Sequence, residues 1–131
     1  MIPARLASLL DRCESLYRAG RYADALTETN AFPELERVEP PVVAMEARLC
    51  MMAGEWQRGI KRAYLVEFAD GDEYKLAAAE FFAAYAGHLC GTDQIERGKF
   101  YVLEATKVFP GVRLQMLEDP ALAPIFGGGD P

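Results

Sequence analysis

The hydrophobic pattern of the chain predicts helices along almost its whole length. Apolar residues recur at spacings of three and four, and the alternating pattern of a strand is absent. Glycine or proline interrupts the pattern roughly every 12 to 20 residues. We therefore predict an all-α protein. The predicted helices cover 4–19, 22–32, 41–53, 55–70, 73–90 and 93–109, followed by short helical turns at 112–118 and 120–126.

The chain also matches itself after a shift of 34 residues, with residues of similar size falling on one another. The pairs include Leu16 with Cys50, Gly20 with Gly54, Tyr22 with Trp56 and Ala25 with Gly59. A further shift of 39 residues carries this series to Leu89, Ile95 and Gly98. Repetition at this spacing indicates stacked helical hairpins.

Small residues in the repeat predict where helices end and where they meet. Gly20 falls at the end of the first helix, where glycine is favoured because a left-handed backbone costs it little. Gly59 lies where two helix axes should approach to about 8–10 Å, which leaves no space for a long side chain. The third segment departs from the pattern, since Asp93 replaces the expected glycine and Lys99 an expected apolar residue.

The period of 34, with a small residue, a glycine, an aromatic residue and a second small residue, resembles the tetratricopeptide repeat family. The resemblance covers about residues 6–110 and implies three repeats in a single domain of residues 1–131. It implies a right-handed α-α superhelix of three antiparallel helix pairs plus a short C-terminal capping helix. The expected segments are repeats at about 6–39, 40–73 and 74–110, a cap at 111–126 and a flexible tail at 127–131.

The cap has its own sequence signals. Asp119 before Pro120 resembles a helix N-cap followed by proline at the first helical position. Helix 93–109 carries extra apolar faces that need a cover. We expect Phe100, Leu103 and Phe109 to be covered by Leu114, Leu117, Leu122, Ile125 and Phe126.

In the tetratricopeptide family the first helix of each pair lines a concave groove, so the resemblance implies candidate groove residues. They are Leu10, Glu14, Tyr17 and Arg18 in the first repeat, Arg48, Met51 and Met52 in the second, and Gly87 and Cys90 in the third. Thioethers, guanidinium groups and a bare glycine patch suit an apolar or helical peptide with an occasional carboxylate. The alternative is that Met51 and Met52 fill the core or lie beneath the C-terminal turns.

One subclass of the family binds the acidic C-terminus of a chaperone through Lys, Asn and Arg residues. None of these residues is present at the matching positions Leu10, Glu14, Met45, Glu80 and Ala84. Glu14 and Glu80 would instead repel an anionic tail. We therefore expect acidic peptides to be poor ligands.

Composition narrows the class of partner. The formal net charge is −6 and no long Lys/Arg run exists, which argues against a nucleic-acid partner. The densest basic stretch, RGIKR at 58–62, is interpreted as a solvated helix face. No apolar run approaches the roughly 20 residues that span a membrane, and the N-terminus lacks a secretory pattern. We expect a cytoplasmic protein without membrane insertion.

The sequence offers little catalytic chemistry. It has one His, three scattered Cys, no phosphate-binding glycine loop and no GxSxG motif, so we expect no enzymatic activity, no catalytic residue and no cofactor. Cys13, Cys50 and Cys90 are expected to be reduced core thiols. His88 and Cys90 point to different sides of a helix, so we expect no metal site there.

Three functions remain in competition. The leading hypothesis is an adaptor or small chaperone that binds a peptide or helix of a partner protein in the groove. The short three-repeat chaperones of bacterial type III secretion are similar in size and hairpin organisation. The second hypothesis is a structural or oligomerisation domain whose groove is filled by its own tail or a symmetry mate. The third is a small metal protein that uses His88 and Cys90.

Overall fold

The computed structural model of the protein describes residues 4–66 and 71–127. Within these ranges the chain forms eight α-helices and no strand, which confirms the all-α prediction. They are α1 (Ala4–Arg18), α2 (Tyr22–Thr29), α3 (Pro40–Ala53), α4 (Trp56–Leu65), α5 (Asp72–Gly91), α6 (Ile95–Val108), α7 (Arg113–Glu118) and α8 (Ala123–Phe126). Residues 67–70 of the predicted fourth helix and 128–131 of the predicted tail lie outside the described residues.

The helices pack in sequential pairs, α1 with α2, α3 with α4 and α5 with α6. The pairs also contact one another, because α3 packs against α1, α2 and α5. One hydrophobic core runs through all three pairs and is widest at α5, where Phe81 and Phe82 are fully buried. This arrangement places α1, α3 and α5 side by side.

The three turns within the pairs share one hydrogen-bond pattern. In each turn a backbone N–H donates to the carbonyl five residues earlier: Arg21 to Leu16 (2.9 Å), Glu55 to Cys50 (2.9 Å) and Gln94 to Leu89 (2.8 Å). This is the bond that closes a helix with a left-handed residue. The left-handed residues are Gly20, Gly54 and Asp93, with φ of 75°, 73° and 60°. The shifts of 34 and 39 residues therefore carry each turn onto the next.

Asp93 is the one described residue other than glycine with positive φ, and its replacement by glycine should stabilise the protein. The left-handed conformation costs an L-residue roughly 1–2 kcal/mol, part of which the greater chain entropy of unfolded glycine offsets. We expect Asp93→Gly to raise the free energy of unfolding by about 0.5–1 kcal/mol in urea denaturation. Gly54→Ala is the reciprocal control and should lower it; shifts of the same sign in both variants would contradict the equivalence of the turns.

Helix α2 ends earlier than predicted, at Thr29 rather than residue 32. The buried Thr29 hydroxyl donates to the Leu26 carbonyl at 2.6 Å, and the backbone then turns so that Phe32 enters the core. A loop therefore supplies a core residue that the helical pattern had assigned to α2.

The C-terminal turns pack on α5 and α6, but not entirely through the predicted residues. The Asp119 cap is confirmed, since its Oδ1 accepts a hydrogen bond from the Ala121 N–H at 2.9 Å. Leu122 is fully buried, whereas Leu114 and Leu117 remain 71% and 48% exposed.

The prediction that Leu114 and Leu117 cover α6 is therefore wrong. Val112 and Met116 are buried instead, because residues four apart share a helix face and these two face the core. Phe100 and Leu103 of α6 stay exposed as a consequence.

Candidate functional site

The neighbouring sides of α1, α3 and α5 line two cavities. The smaller is about 330 Å³ and is lined by Leu10, Asp11, Glu14, Pro41, Ala44, Met45, Arg48, Glu73, Tyr74 and Ala77. The larger is about 600 Å³ and is lined from these helices by Tyr17, Met51, Glu80, Ala83 and Ala84. We call these side chains of α1, α3 and α5 the first-helix face.

Five of the nine candidate groove residues belong to the first-helix face. Leu10, Glu14 and Arg48 line the smaller cavity, and Tyr17 and Met51 line the larger. The five positions compared with the chaperone-binding subclass also line the two cavities.

Two further candidates lie outside the lining of both cavities. Arg18 is exposed and its Nε lies 3.4 Å from Glu14 Oε1, so it reaches the first-helix face through that pair. Met52 is 44% exposed. Met51 is half-buried against the core and still lines the larger cavity.

Gly87 and Cys90 lie beneath other elements rather than on the first-helix face. A Cβ added to Gly87 would meet the Cβ of Ala121 at 3.1 Å. Cys90 is buried beside Gly98 of α6, whose added Cβ would lie 3.3 Å from the Cys90 Sγ. The last turns of the 20-residue α5 pack against α6 and the C-terminal turns, which cover the predicted glycine patch.

The C-terminal segment forms one wall of the larger cavity, which the sequence analysis missed. The wall consists of Val112, Gln115, Met116, Glu118 and Asp119. The burial of Val112 and Met116, four residues apart, anchors it to the core. That apolar pair was the available sequence signal, although nothing in it indicated which helix it would meet.

Arg48 links the two cavities electrostatically. Its Nη2 lies 3.8 Å from Glu14 Oε2, and its guanidinium carbon lies 4.7 Å from the centre of the Tyr17 ring. Burial raises the pKa of the Glu80 carboxyl, and the charge of Arg48 opposes that rise. The first-helix face therefore combines one guanidinium with carboxylates that are partly removed from water.

A second polar cluster lies between α3 and α4. The fully buried carboxylate of Glu46 is approached by Arg58 Nε at 2.8 Å, Arg62 Nε at 3.2 Å and Arg37 Nη2 at 3.6 Å. Arg58 also donates to the Thr29 hydroxyl at 2.9 Å, and Arg62 donates to the Arg37 carbonyl. The interpretation of RGIKR as a solvated face is therefore wrong for both arginines of that stretch.

An aromatic cluster surrounds Trp56 at the turn between α3 and α4. Its ring stacks on His88 at 5.1 Å and on Tyr85 at 5.4 Å, and the Tyr85 hydroxyl accepts a hydrogen bond from Arg97 at 3.0 Å. His88 thus faces Trp56, away from the buried Cys90. In the described ranges, no three His, Cys, Asp or Glu residues are grouped so as to hold a metal ion.

The three cysteines are free and buried, in agreement with the sequence prediction. Burial raises the pKa of Cys13 to about 11 and that of Cys50 to about 12. Burial also raises the pKa of Cys90. Because the thiolate is the reactive form, these thiols are poorly suited to nucleophilic chemistry at neutral pH.

Comparison with known proteins adds no relative. No family model matches the chain, and no curated protein or solved structure is significantly similar to it. The tetratricopeptide resemblance therefore depends on the residues of this chain alone. Separately, none of the helices described is both long enough and apolar enough to cross a membrane.

Proposed function

We propose that the protein is a tetratricopeptide-like interaction module, an adaptor or small chaperone, that binds a peptide or helix of a partner protein on the first-helix face. The observation that supports this most directly is the pair of cavities where α1, α3 and α5 lie side by side. Apolar pockets with a few polar groups at their edges are the usual form of a binding site.

The proposed architecture is a right-handed superhelix of three helix pairs. The three turns with equivalent hydrogen bonds and left-handed residues support it, because identical turns give successive pairs a similar geometry. In such a stack the first helices share one face, as α1, α3 and α5 do here.

The spacing of the cavities suits a peptide. Ala77 lines the smaller cavity and Ala84 the larger, so the cavities are about 10 Å apart along α5. Side chains seven residues apart on a helix, or three apart on an extended strand, span about that distance. A single partner segment could therefore place one side chain in each cavity.

The competing proposal is an oligomerisation domain whose groove is filled by its own tail or a second copy. The C-terminal wall is the observation that favours a structural role for the tail. The described part of that tail lines the larger cavity, which nevertheless keeps a volume of about 600 Å³. This open volume favours the binding proposal. Within it, a type III secretion chaperone, a cytoplasmic location and the lack of enzymatic activity and cofactor remain predictions.

Filling the larger cavity should abolish peptide binding. We would select peptides from a random 15-residue display library on the full-length protein and measure their Kd by calorimetry. The half-buried Ala84 lines this cavity, so Ala84→Trp should raise Kd at least tenfold by occupying the volume.

Ala23→Trp is the matched control, since Ala23 is exposed on α2 and lines neither cavity. Its Kd should stay within twofold of that of the unmodified protein. If no peptide is selected, or if both variants bind as the unmodified protein does, the proposed function is wrong.

A further inference from the structure

The two cavities of the first-helix face are lined by an unbalanced set of charges. Three carboxylates line the smaller cavity and three the larger: Asp11, Glu14 and Glu73, and Glu80, Glu118 and Asp119. Among the described residues, Arg48 is the single basic side chain that lines either cavity. The lining is thus strongly acidic, which exceeds what a mixed surface would show.

Most of this charge lacks a cationic partner in the fold. Glu14 is paired with Arg18 and Arg48, and Asp119 accepts the cap hydrogen bond of the C-terminal turn. Asp11, Glu80 and Glu118 take part in none of the ion pairs formed by the described residues. Away from the cavities, by contrast, arginines pair with Glu28, Glu36 and Glu46.

Glu80 is the carboxylate that a ligand cation would stabilise most. It lies on α5 at the larger cavity and is partly buried, so it has lost part of its hydration. Burial of this kind raises the pKa of Glu80, and Arg48 opposes the rise incompletely. A second cation from a partner would restore the interaction that water no longer provides.

The larger cavity also has an apolar part. Tyr17, Met51, Val112 and Met116 contribute to its lining beside Glu80. Unbranched thioethers adapt to apolar side chains of different shape. The cavity can therefore hold an apolar anchor while the carboxylates at its margin engage cations on either side of that anchor.

We infer that the first-helix face binds a basic, amphipathic segment of a partner protein, with an apolar side chain in the larger cavity and lysine or arginine beside Glu80 and the smaller cavity. This inference rests on the proposed function and specifies the chemistry of its ligand. The opposed charges should speed association and select against acidic segments.

Two other occupants fit the charges less well. A nucleic acid would bring phosphates to a surface of carboxylates. A second copy would bring a net charge of −6, and its densest basic stretch, 58–62, directs Arg58 and Arg62 onto the buried Glu46. Charge complementarity therefore favours a separate, basic partner.

The composition of the selected peptides tests this inference. Peptides enriched on the full-length protein should carry a positive mean net charge together with a large apolar residue, and their affinity should fall as salt rises from 50 to 500 mM. Enrichment of neutral or acidic peptides that still lose affinity in Ala84→Trp would overturn the inference and leave the proposed function standing. Selection of no peptide would instead remove the proposed function.

A charge variant tests where the basic peptides bind. Glu14→Asn with Glu80→Lys should weaken them at least tenfold and should improve the binding of matched peptides in which Lys and Arg are replaced by Glu. Glu34→Asn with Glu96→Lys changes the net charge equally at exposed positions outside both cavities, and should alter Kd by less than threefold. Equal losses in the two double variants would show attraction to the overall charge alone and would overturn the inference.

Discussion

Replacing Glu46 with Gln should lower the free energy of unfolding by about 3 kcal/mol, the largest loss that we expect from one charge substitution in this protein. The carboxylate is fully buried and is surrounded by three guanidinium groups. Gln keeps the size of the side chain but removes its charge, which leaves Arg58 and Arg62 facing each other without a counter-ion. Urea denaturation with an unchanged slope would measure the loss.

The size of the effect follows from the burial of the arginines as well as of Glu46. The Arg62 side chain is 14% exposed, so water can solvate it only partly once the carboxylate is gone. Burial already lowers the pKa of Arg62, an effect that the negative charge of Glu46 opposes. Arg37 and Arg58 are about one-third exposed, which keeps the expected loss at the lower end of the range for broken buried pairs.

Two variants make this prediction specific. Glu28→Gln breaks the exposed pair with Arg12 at 3.1 Å and should cost at most about 0.5 kcal/mol. Arg62→Met added to Glu46→Gln should recover about 1 kcal/mol, because it removes one of the uncompensated charges. A loss in Glu46→Gln no greater than that in Glu28→Gln would mean that water already solvates the cluster.

The sequence predicted the helices and their turns well because both depend on local chemistry. Gly20 and Gly54 supply the left-handed residue at a helix end, and the bond from Gln94 to Leu89 forms at the same place although Asp93 replaces glycine. Asp tolerates this conformation better than most residues other than glycine. The repeat could therefore be followed through a position where its usual residue is missing.

The candidate site was harder to predict because it depends on contacts distant in sequence. The heptad-like spacing of α1 and α3 identified Glu14, Tyr17 and Arg48, but Gly87 is covered by Ala121, more than thirty residues away in the chain. No local pattern specifies where the C-terminal turns dock. The wall of the larger cavity could therefore not be derived from periodicity.

The cluster at Glu46 was missed although a signal existed. Glu46 is the one acidic residue of α3, and it falls four residues after Val42 and four before Cys50, both of which are buried. An acid on a core stripe predicts a buried counter-ion. Because Arg58 and Arg62 are also four residues apart, they could have been identified as its partners on the adjacent helix.

The second large effect is expected at Gly59, where alanine should lower the free energy of unfolding by about 2 kcal/mol. An added Cβ would lie 2.2 Å from Phe81 Cε2 and 2.9 Å from the Cβ of Cys50. Phe81 is fully buried and packs against Trp56 at 5.7 Å and Phe82 at 6.0 Å between ring centres, so its ring has little freedom to move aside. The close approach of α4 to α3 and α5 therefore requires glycine at this position.

Gly98 provides the matched control, because it occupies the equivalent position in α6 and is also buried. An added Cβ there would meet its nearest atoms at 3.2–3.3 Å, a distance that small movements of Cys90 and Ile125 can relieve. The better helix propensity of alanine, about 1 kcal/mol, should then leave Gly98→Ala within about 1 kcal/mol of the unmodified protein. Thermal and urea denaturation of both variants would measure the difference, and equal losses would mean that the clash with the Phe81 ring does not limit the packing of α4.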